Sequence, residues 1–283
     1  MVEFIAEISS NHNQDIDRAK KLIDSAFYSG FRSVKFQYFR INKLFSKDVL
    51  KNSKQHRDRE KWELPKSFVP ELSNYARSKS MKFGVTPFDT DSLDFLKDHV
   101  DFFKIASYEI LYLDLIKEVS KYNMPTIIST GMANIQEIDK AVNAFKCEGN
   151  NNLSLMHCVS SYPTPAEQTN LSAIVSLKDR YDIDVGWSDH TVNESVIYHA
   201  SLKYGAQQIE LHIDIDNKGY EADSGHCWLP EKSKKIIDNI NNGFRYMGNG
   251  KKSPVQSEMA DRDWRSDPSD GLRPLIILRK NEK

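Results

Sequence analysis

Two histidines and two lysines stand in apolar surroundings where polar side chains need a reason. His190 closes the run DVGWSDHT and His212 closes QQIELHID. Imidazoles at matching heights on neighbouring strands, about 4.8 Å apart, can share one divalent ion such as Zn, Mn or Fe. A lone histidine reads more readily as structural. Two of them, beside Asp189 and Glu210, favour a metal, although no HxxxH or HExxH spacing adds to the case. Lys35 lies inside SVKFQ and Lys104 inside FFKIAS. Lysine is rarely buried without a partner, so the two together point to an anionic ligand. Ser107, Ser129, Thr130 and Gly131 follow nearby apolar runs. Their hydroxyls and backbone N–H groups could bind phosphate oxygens; singly, each reads as a small residue that permits a tight turn.

Carboxylates and hydrogen-bonding groups occur in the same contexts. Glu7 sits between Ala6 and Ile8. Pointing inward it is a candidate general base; pointing outward it is a surface charge. Glu109 and Asp223 follow later apolar runs and are further candidates for proton transfer. Gln37, Asn11, His12 and Tyr162 could hydrogen-bond a polyol. Spacing alone does not divide these groups into donors and acceptors.

The elements that must position these residues form one pattern. Eight apolar runs each end in small, polar or ionisable residues: FIAEISSNH, SVKFQYF, KFGVTPFD, DFFKIAS, PTIISTGM, LSLMHCVSSYPTP, DVGWSDHT and QQIELHID. Amphipathic helices alternate with them. Asp15 caps the first, Ala19, Leu22, Ile23 and Ala26 form its apolar face, and Gly30 ends it. Others are predicted near 65–80, 91–98, 113–122, 134–147, 170–180, 194–203 and 230–246. Strand and helix alternating in this way predict an α/β fold, a (β/α)8 TIM barrel over residues 1–246, with the active site where the strands end. Residues 247–283 read as an irregular C-terminal extension. The charged segment 40–63 lies on the active-site side of the second strand and reads equally as a lid or as a solvated insertion.

The 283-residue length and the hydrophobic and charged contents of 39% and 28% suit one large soluble domain. A formal net charge of −1 gives no electrostatic reason to expect nucleic acid or an anionic membrane as partner. No apolar stretch approaches the roughly 20 residues of a membrane span, and no signal peptide is predicted. Cys147, Cys158 and Cys227 lack CxxC spacing and fit a reducing cytoplasm.

The motifs AEISSNHNQD, VKFQ, TPFD, FKIAS, ISTGMA, HCVSSYPTP and GWSDHT, in this order across roughly residues 3–245, resemble the sialic acid synthase family. The resemblance implies condensation of phosphoenolpyruvate with an N-acetylated amino sugar, N-acetylmannosamine or a modified relative, to form a nonulosonic acid and phosphate. It implies that His190 and His212 hold a divalent metal, Mn2+ with Mg2+ or Co2+ as alternatives. Lys35, Thr86, Lys104, Ser107, Ser129, Ser160 and Ser188 would hold phosphoenolpyruvate. Gln37 and Tyr162 would contact the sugar, and Glu7, Glu109 and Asp223 would serve the chemistry. A cytoplasmic homodimer making precursors of surface glycans is also implied. Ser160 replaces an asparagine of several relatives. The stretch GYEADSGHCWLPE from Gly219 departs from the usual segment after the eighth strand, where Asp223 is the matching acid and His226 and Cys227 are further candidates near the metal. The chain ends before the C-terminal antifreeze-like domain of many members, which supplies an arginine across the dimer; Arg262, Arg265 or Arg273 could take that part. A 3-deoxy-ulosonate synthase using another aldose, or a silent sugar-phosphate-binding barrel, are the competing readings.

Overall fold

A computed structural model describes residues 2–279. These residues divide into two compact units, split between Phe244 and Arg245.

The first unit is a closed barrel of eight parallel strands in sequential order. They are β1 (Glu3–Ser9), β2 (Ser33–Tyr38), β3 (Lys82–Pro87), β4 (Phe102–Ile105), β5 (Thr126–Ser129), β6 (Leu153–Cys158), β7 (Val185–Asp189) and β8 (Gln208–His212). β8 pairs back onto β1, with Glu7 opposite His212. Each strand is followed by helix, as the alternation predicted. Asp15 caps the helix Ile16–Ser29 by accepting from Asp17 and Arg18 N–H, and Gly30 ends it at φ 99°. One expectation is trimmed: the helix near 91–98 is a single turn, Leu93–Leu96, whose buried residues are Leu93 and Leu96.

Two apolar layers follow from the strand period of two. Outward residues such as Ile8, Val34, Phe83, Leu155, Trp187 and Leu211 pack with the helices in the main core. Inside the barrel, Ile5, Phe102, Ile127 and Met156 form a small separate cluster. Gly84 makes room for it, since a Cβ there would lie 2.2 Å from the Phe102 ring. This cluster is the floor on which the polar residues stand. A cavity of about 590 Å3 opens beneath it, at the N-terminal ends of the strands, lined by Glu3, Lys82, Asp101, Asp184 and Gln208. That face of a barrel ordinarily serves stability rather than chemistry.

The segment 40–63 is ordered as the short helices Ile41–Leu44, Lys47–Asn52 and Lys54–Arg57 and the 3-10 turn Asp58–Trp62. It docks on the active-site rim. The Gln14 side chain donates to the carbonyls of Glu60 and Glu63, and Trp62 stacks on Tyr220 of the β8 loop.

The second unit contains two 3-10 turns, Gln256–Glu258 and Arg262–Trp264, and the short helix Ile276–Arg279. The Asp267 carboxylate ties it together, accepting from the backbone N–H of Ser269 and Ile276. No helix among the described residues is long and apolar enough to cross a membrane.

Candidate active site

Above the apolar floor, alternate residues of β1, β2, β4, β7 and β8 point into the barrel and form one buried charged network. Lys35 forms an ion pair with Glu7, donates to Thr86 Oγ1 at 3.1 Å and lies 3.6 Å from Glu210 Oε2. Lys104 Nζ lies 2.7 Å from the same Glu210 oxygen. Ser188 donates to Glu210 Oε1 at 2.8 Å, and Gln37 donates to Glu7 Oε1 at 3.1 Å. The two lysines therefore have protein partners in Glu7 and Glu210. Glu210, noted in the sequence only as a neighbour of the histidines, is the partner of both lysines. It lies two positions before His212 on β8, so strand alternation places both on the inner face.

Burial and mutual charge move the groups of this network away from their ordinary ranges. Burial pushes the Glu7 carboxyl up, against the pull of Lys35, and the charge of Glu210 adds to the rise. Glu210 is held well below the ordinary carboxylate range: burial opposes this, but Lys104 and Lys35 outweigh it. Lys35 stays above its ordinary value because Glu210 and Glu7 outweigh its burial. Lys104 is pushed down by burial and by Lys35.

The ends of β4 to β6 add hydrogen-bonding groups. Ser107 Oγ accepts from Gly131 N–H at 3.1 Å and meets Cys158 Sγ at 3.2 Å. A Cβ on Gly131 would stand 2.4 Å from Ser160 Oγ and 2.7 Å from Ser107 Oγ, so glycine is required for these hydroxyls to converge. Ser160 Oγ is buried without a partner. Ser129 is buried at the end of β5, whereas the Thr130 hydroxyl is engaged by the Met156 carbonyl. Glu109 lies in the 3-10 turn after β4 with Oε2 buried and unpartnered, and burial pushes its carboxyl up to about 8.

Three histidines gather at the ends of β7 and β8 and in the loop after β8. His190 donates from Nδ1 to the Val159 carbonyl at 2.7 Å, the remaining nitrogen then carrying the lone pair. Burial and the neighbouring His212 lower it to about 3, so it is neutral. The rings of His190 and His212 are 5.3 Å apart, and His226 lies 4.6 Å from His212. Tyr162 covers His190 and His226, with ring centres at 4.3 and 4.9 Å.

His212 Nδ1, His226 Nε2 and Glu221 Oε2 meet: 2.9 Å from Glu221 to His212, 3.5 Å from Glu221 to His226, and 3.3 Å between the histidines. These donors can hold a metal ion; His190 stands beside them rather than among them. Glu221 was not found from sequence, and Asp223, the acid expected from the same loop, is exposed in the turn Ala222–Ser224.

The motif SSNHN acts on that loop. Ser9 donates to Glu221 Oε1. Asn11 accepts from Glu221 N–H at 2.9 Å and donates to the Ile213 carbonyl, while Asn13 bonds Lys218 and Tyr220. Asn11 is therefore committed to the backbone and not free for a polyol. His12 is buried, lowered to about 4 by desolvation, and accepts from Gln14 N–H. Asp189 likewise faces away from the mouth and accepts from the Trp187 and Trp228 indoles.

This chain is similar to known proteins in sequence and in fold. The chain is 36% identical over 267 residues to N,N'-diacetyllegionaminic acid synthase of Campylobacter jejuni, covering 90% of this chain and 80% of that protein. It is 34% identical over 274 residues to the spore coat polysaccharide biosynthesis protein SpsE of Bacillus subtilis, covering 94% and 74%. Among solved structures, the N-acetylneuraminic acid (sialic acid) synthetase of Leptospira borgpetersenii superposes with a TM-score of 0.80 at 30% identity, over 92% of this chain and 90% of that one. The NeuB family profile matches residues 22–252, and the chain belongs to that family.

Proposed function

We propose that this protein condenses phosphoenolpyruvate with an N-acetylated amino sugar, forming a nonulosonic acid and releasing phosphate. The observation that carries the reading is the division of one barrel mouth into two sides. Lys35, Lys104, Ser107, Ser160 and the Gly131 turn make an anion side. His190, His212 and their neighbours make a cation side.

The donor's carboxylate and phosphate would lie over Lys35 and Lys104, with Ser107, Ser129, Ser160 and Thr86 supplying hydrogen bonds. Ser188 acts through Glu210, holding the carboxylate that aligns both lysines. In the reaction, C3 of the enol forms a bond to the sugar's aldehyde carbon, water adds at C2, and phosphate leaves with its bridging oxygen. The lysines stabilise the negative charge that grows on the departing phosphate. Glu109, whose carboxyl burial pushes up to about 8, would donate a proton, and Glu7, the base candidate of β1, accepts from Gln37. Tyr162 and Gln37 would meet the sugar, with Asp223 reaching it from the rim.

The imidazoles of His190 and His212, both buried, would hold a divalent transition metal, Mn2+ in this proposal. When bound, it supplies Lewis-acid polarisation of the aldehyde oxygen. Cytoplasmic location, a homodimer and a role in surface glycans belong to the same proposal.

The test is phosphate release from phosphoenolpyruvate with Mn2+ and a panel of N-acetylated hexosamines, beside arabinose 5-phosphate and erythrose 4-phosphate. Release that depends on an amino sugar is expected. Release with the phosphorylated aldoses alone, or with no aldose in the panel, would overturn the reading.

A further inference from the structure

The resemblance places the metal on His190 and His212, one from each of two strands. The structure adds two donors from a loop whose sequence departs from the family's usual form. Glu221 and His226 lie nine and fourteen positions beyond His212, and the loop returns both to it. Their side chains are 14% and 4% exposed, and that of His212 is 8% exposed.

We propose that His212, Glu221 and His226 are a three-point protein grip on a divalent transition-metal ion. An ion about 2.1 Å from each of three donors needs them about 3.0 Å apart at right angles, or about 3.4 Å apart in a tetrahedron. The observed separations of 2.9, 3.3 and 3.5 Å span that interval. His190 and Tyr162 stand against this group, with ring centres 5.3 Å from His212 and 4.9 Å from His226, respectively. Two imidazoles and one carboxylate suit Mn2+, Fe2+ or Co2+ rather than the all-oxygen sites of Mg2+ or Ca2+.

The surroundings hold the donors in this arrangement. Ser9 fixes the second oxygen of Glu221, and Asn11 fixes its backbone N–H. Such outer partners orient a ligand before the ion arrives. Gly219 allows Asn11 this approach, because a Cβ there would stand 2.2 Å from Asn11 Oδ1. The loop is also paired to the strand end: Trp228 N–H donates to the His212 carbonyl at 2.7 Å, and Asp214 N–H to the Trp228 carbonyl at 3.0 Å. Hydrogen bonding alone would require only an acceptor at position 221; a metal requires the anionic carboxylate. That difference can be measured.

This inference rests on the reading of a metal-dependent synthase but is tested apart from turnover. The full chain, stripped of metal, is titrated with Mn2+ by calorimetry and with Co2+ by visible absorption. The variants Glu221→Gln, which keeps shape and acceptor, and His226→Gln are titrated in parallel, with circular dichroism melts to establish folding. The parent should bind one ion per chain, with a Co2+ ligand-field band. Each variant should bind at least about 100-fold more weakly, beyond the usual cost of losing an outer partner, with a changed Co2+ spectrum. Folded variants that bind both ions with the parent's affinity and spectrum would overturn the inference. Binding through the three residues without phosphate release would uphold it and sink the synthase reading. Full turnover with parental Mn2+ affinity in both variants would do the reverse.

Discussion

Lys104 Nζ and Glu210 Oε2 lie 2.7 Å apart at the centre of the barrel, and Lys35 approaches the same oxygen at 3.6 Å. One carboxylate thus aligns two ammonium groups. Removing it strands the buried Lys104, while Lys35 keeps Glu7; removing Lys104 leaves Glu210 paired with Lys35. Glu210→Gln should therefore lower unfolding free energy by about 3 kcal/mol or more, the cost of breaking a buried pair. Lys104→Met should cost less, since Glu210 keeps Lys35 and Ser188. Urea unfolding of both variants checks the order; a larger loss for Lys104→Met would contradict it.

The same asymmetry separates stability from donor binding. Lys104→Met removes one of two cations from the proposed anion side, so its Kd for phosphoenolpyruvate should rise at least about tenfold, equivalent to about 1.4 kcal/mol. Binding of the amino sugar should change little. Calorimetry on the parent and variant makes the comparison, and equal donor affinity would remove Lys104 from the site.

Gly131 is where the turn after β5 meets hydroxyls from two neighbouring loops. A methyl there would stand 2.4 Å from Ser160 Oγ and 2.7 Å from Ser107 Oγ. Gly131→Ala should therefore move both hydroxyls and cost about 1–3 kcal/mol of stability, as overpacking does. It should also weaken phosphoenolpyruvate while leaving Mn2+ affinity unchanged, because the nearest atoms that the added methyl would meet belong to Ser160, Ser107 and Cys158 and not to a histidine. Parallel titrations with donor and metal distinguish this local effect from general loosening.

How far the sequence was readable depends on whether each residue's place follows from period or from long-range contact. The barrel was legible because strand runs and helical faces have distinct periods, and because Asp15 and Gly30 mark helix ends in the sequence itself. Lys35, Lys104, His190 and His212 were legible as polar residues in apolar runs. Glu210 shares that context and the face of His212, which alternation could have assigned. The Lys104–Glu210 pair spans 106 positions, and no local signal pairs them. Glu221 was beyond reach for a similar reason: its position depends on Ser9 and Asn11, some 210 residues away in the chain. The family pattern directed attention to Asp223, which the loop leaves exposed.

Glu109 gives a pH signature. Burial raises its carboxyl from 4.5 to about 8. Between those values the folded protein holds a proton that the unfolded chain has released. Its contribution to stability is thus complete below pH 4.5 and is lost as pH rises towards 8. Glu109→Gln should flatten this part of the profile. Denaturant unfolding of parent and variant at pH 5 and pH 8 should show the parent losing more stability across the interval. Identical slopes would mean that Glu109 ionises as an ordinary carboxylate.

Gly219 offers a way to disturb the cation side without changing a donor. Its backbone lies against Asn11, and Asn11 both accepts from Glu221 N–H and donates to the Ile213 carbonyl. A methyl at position 219 would displace the asparagine and release the loop segment carrying Glu221. Gly219→Ala should weaken Mn2+ binding by about 10- to 100-fold, the range for loss of an outer partner, with the melting transition still cooperative. Adding it to Glu221→Gln should produce little further loss, because both changes remove the same contribution and coupled sites do not add. Additive losses in the double variant would place the effect of Gly219 elsewhere than on Glu221.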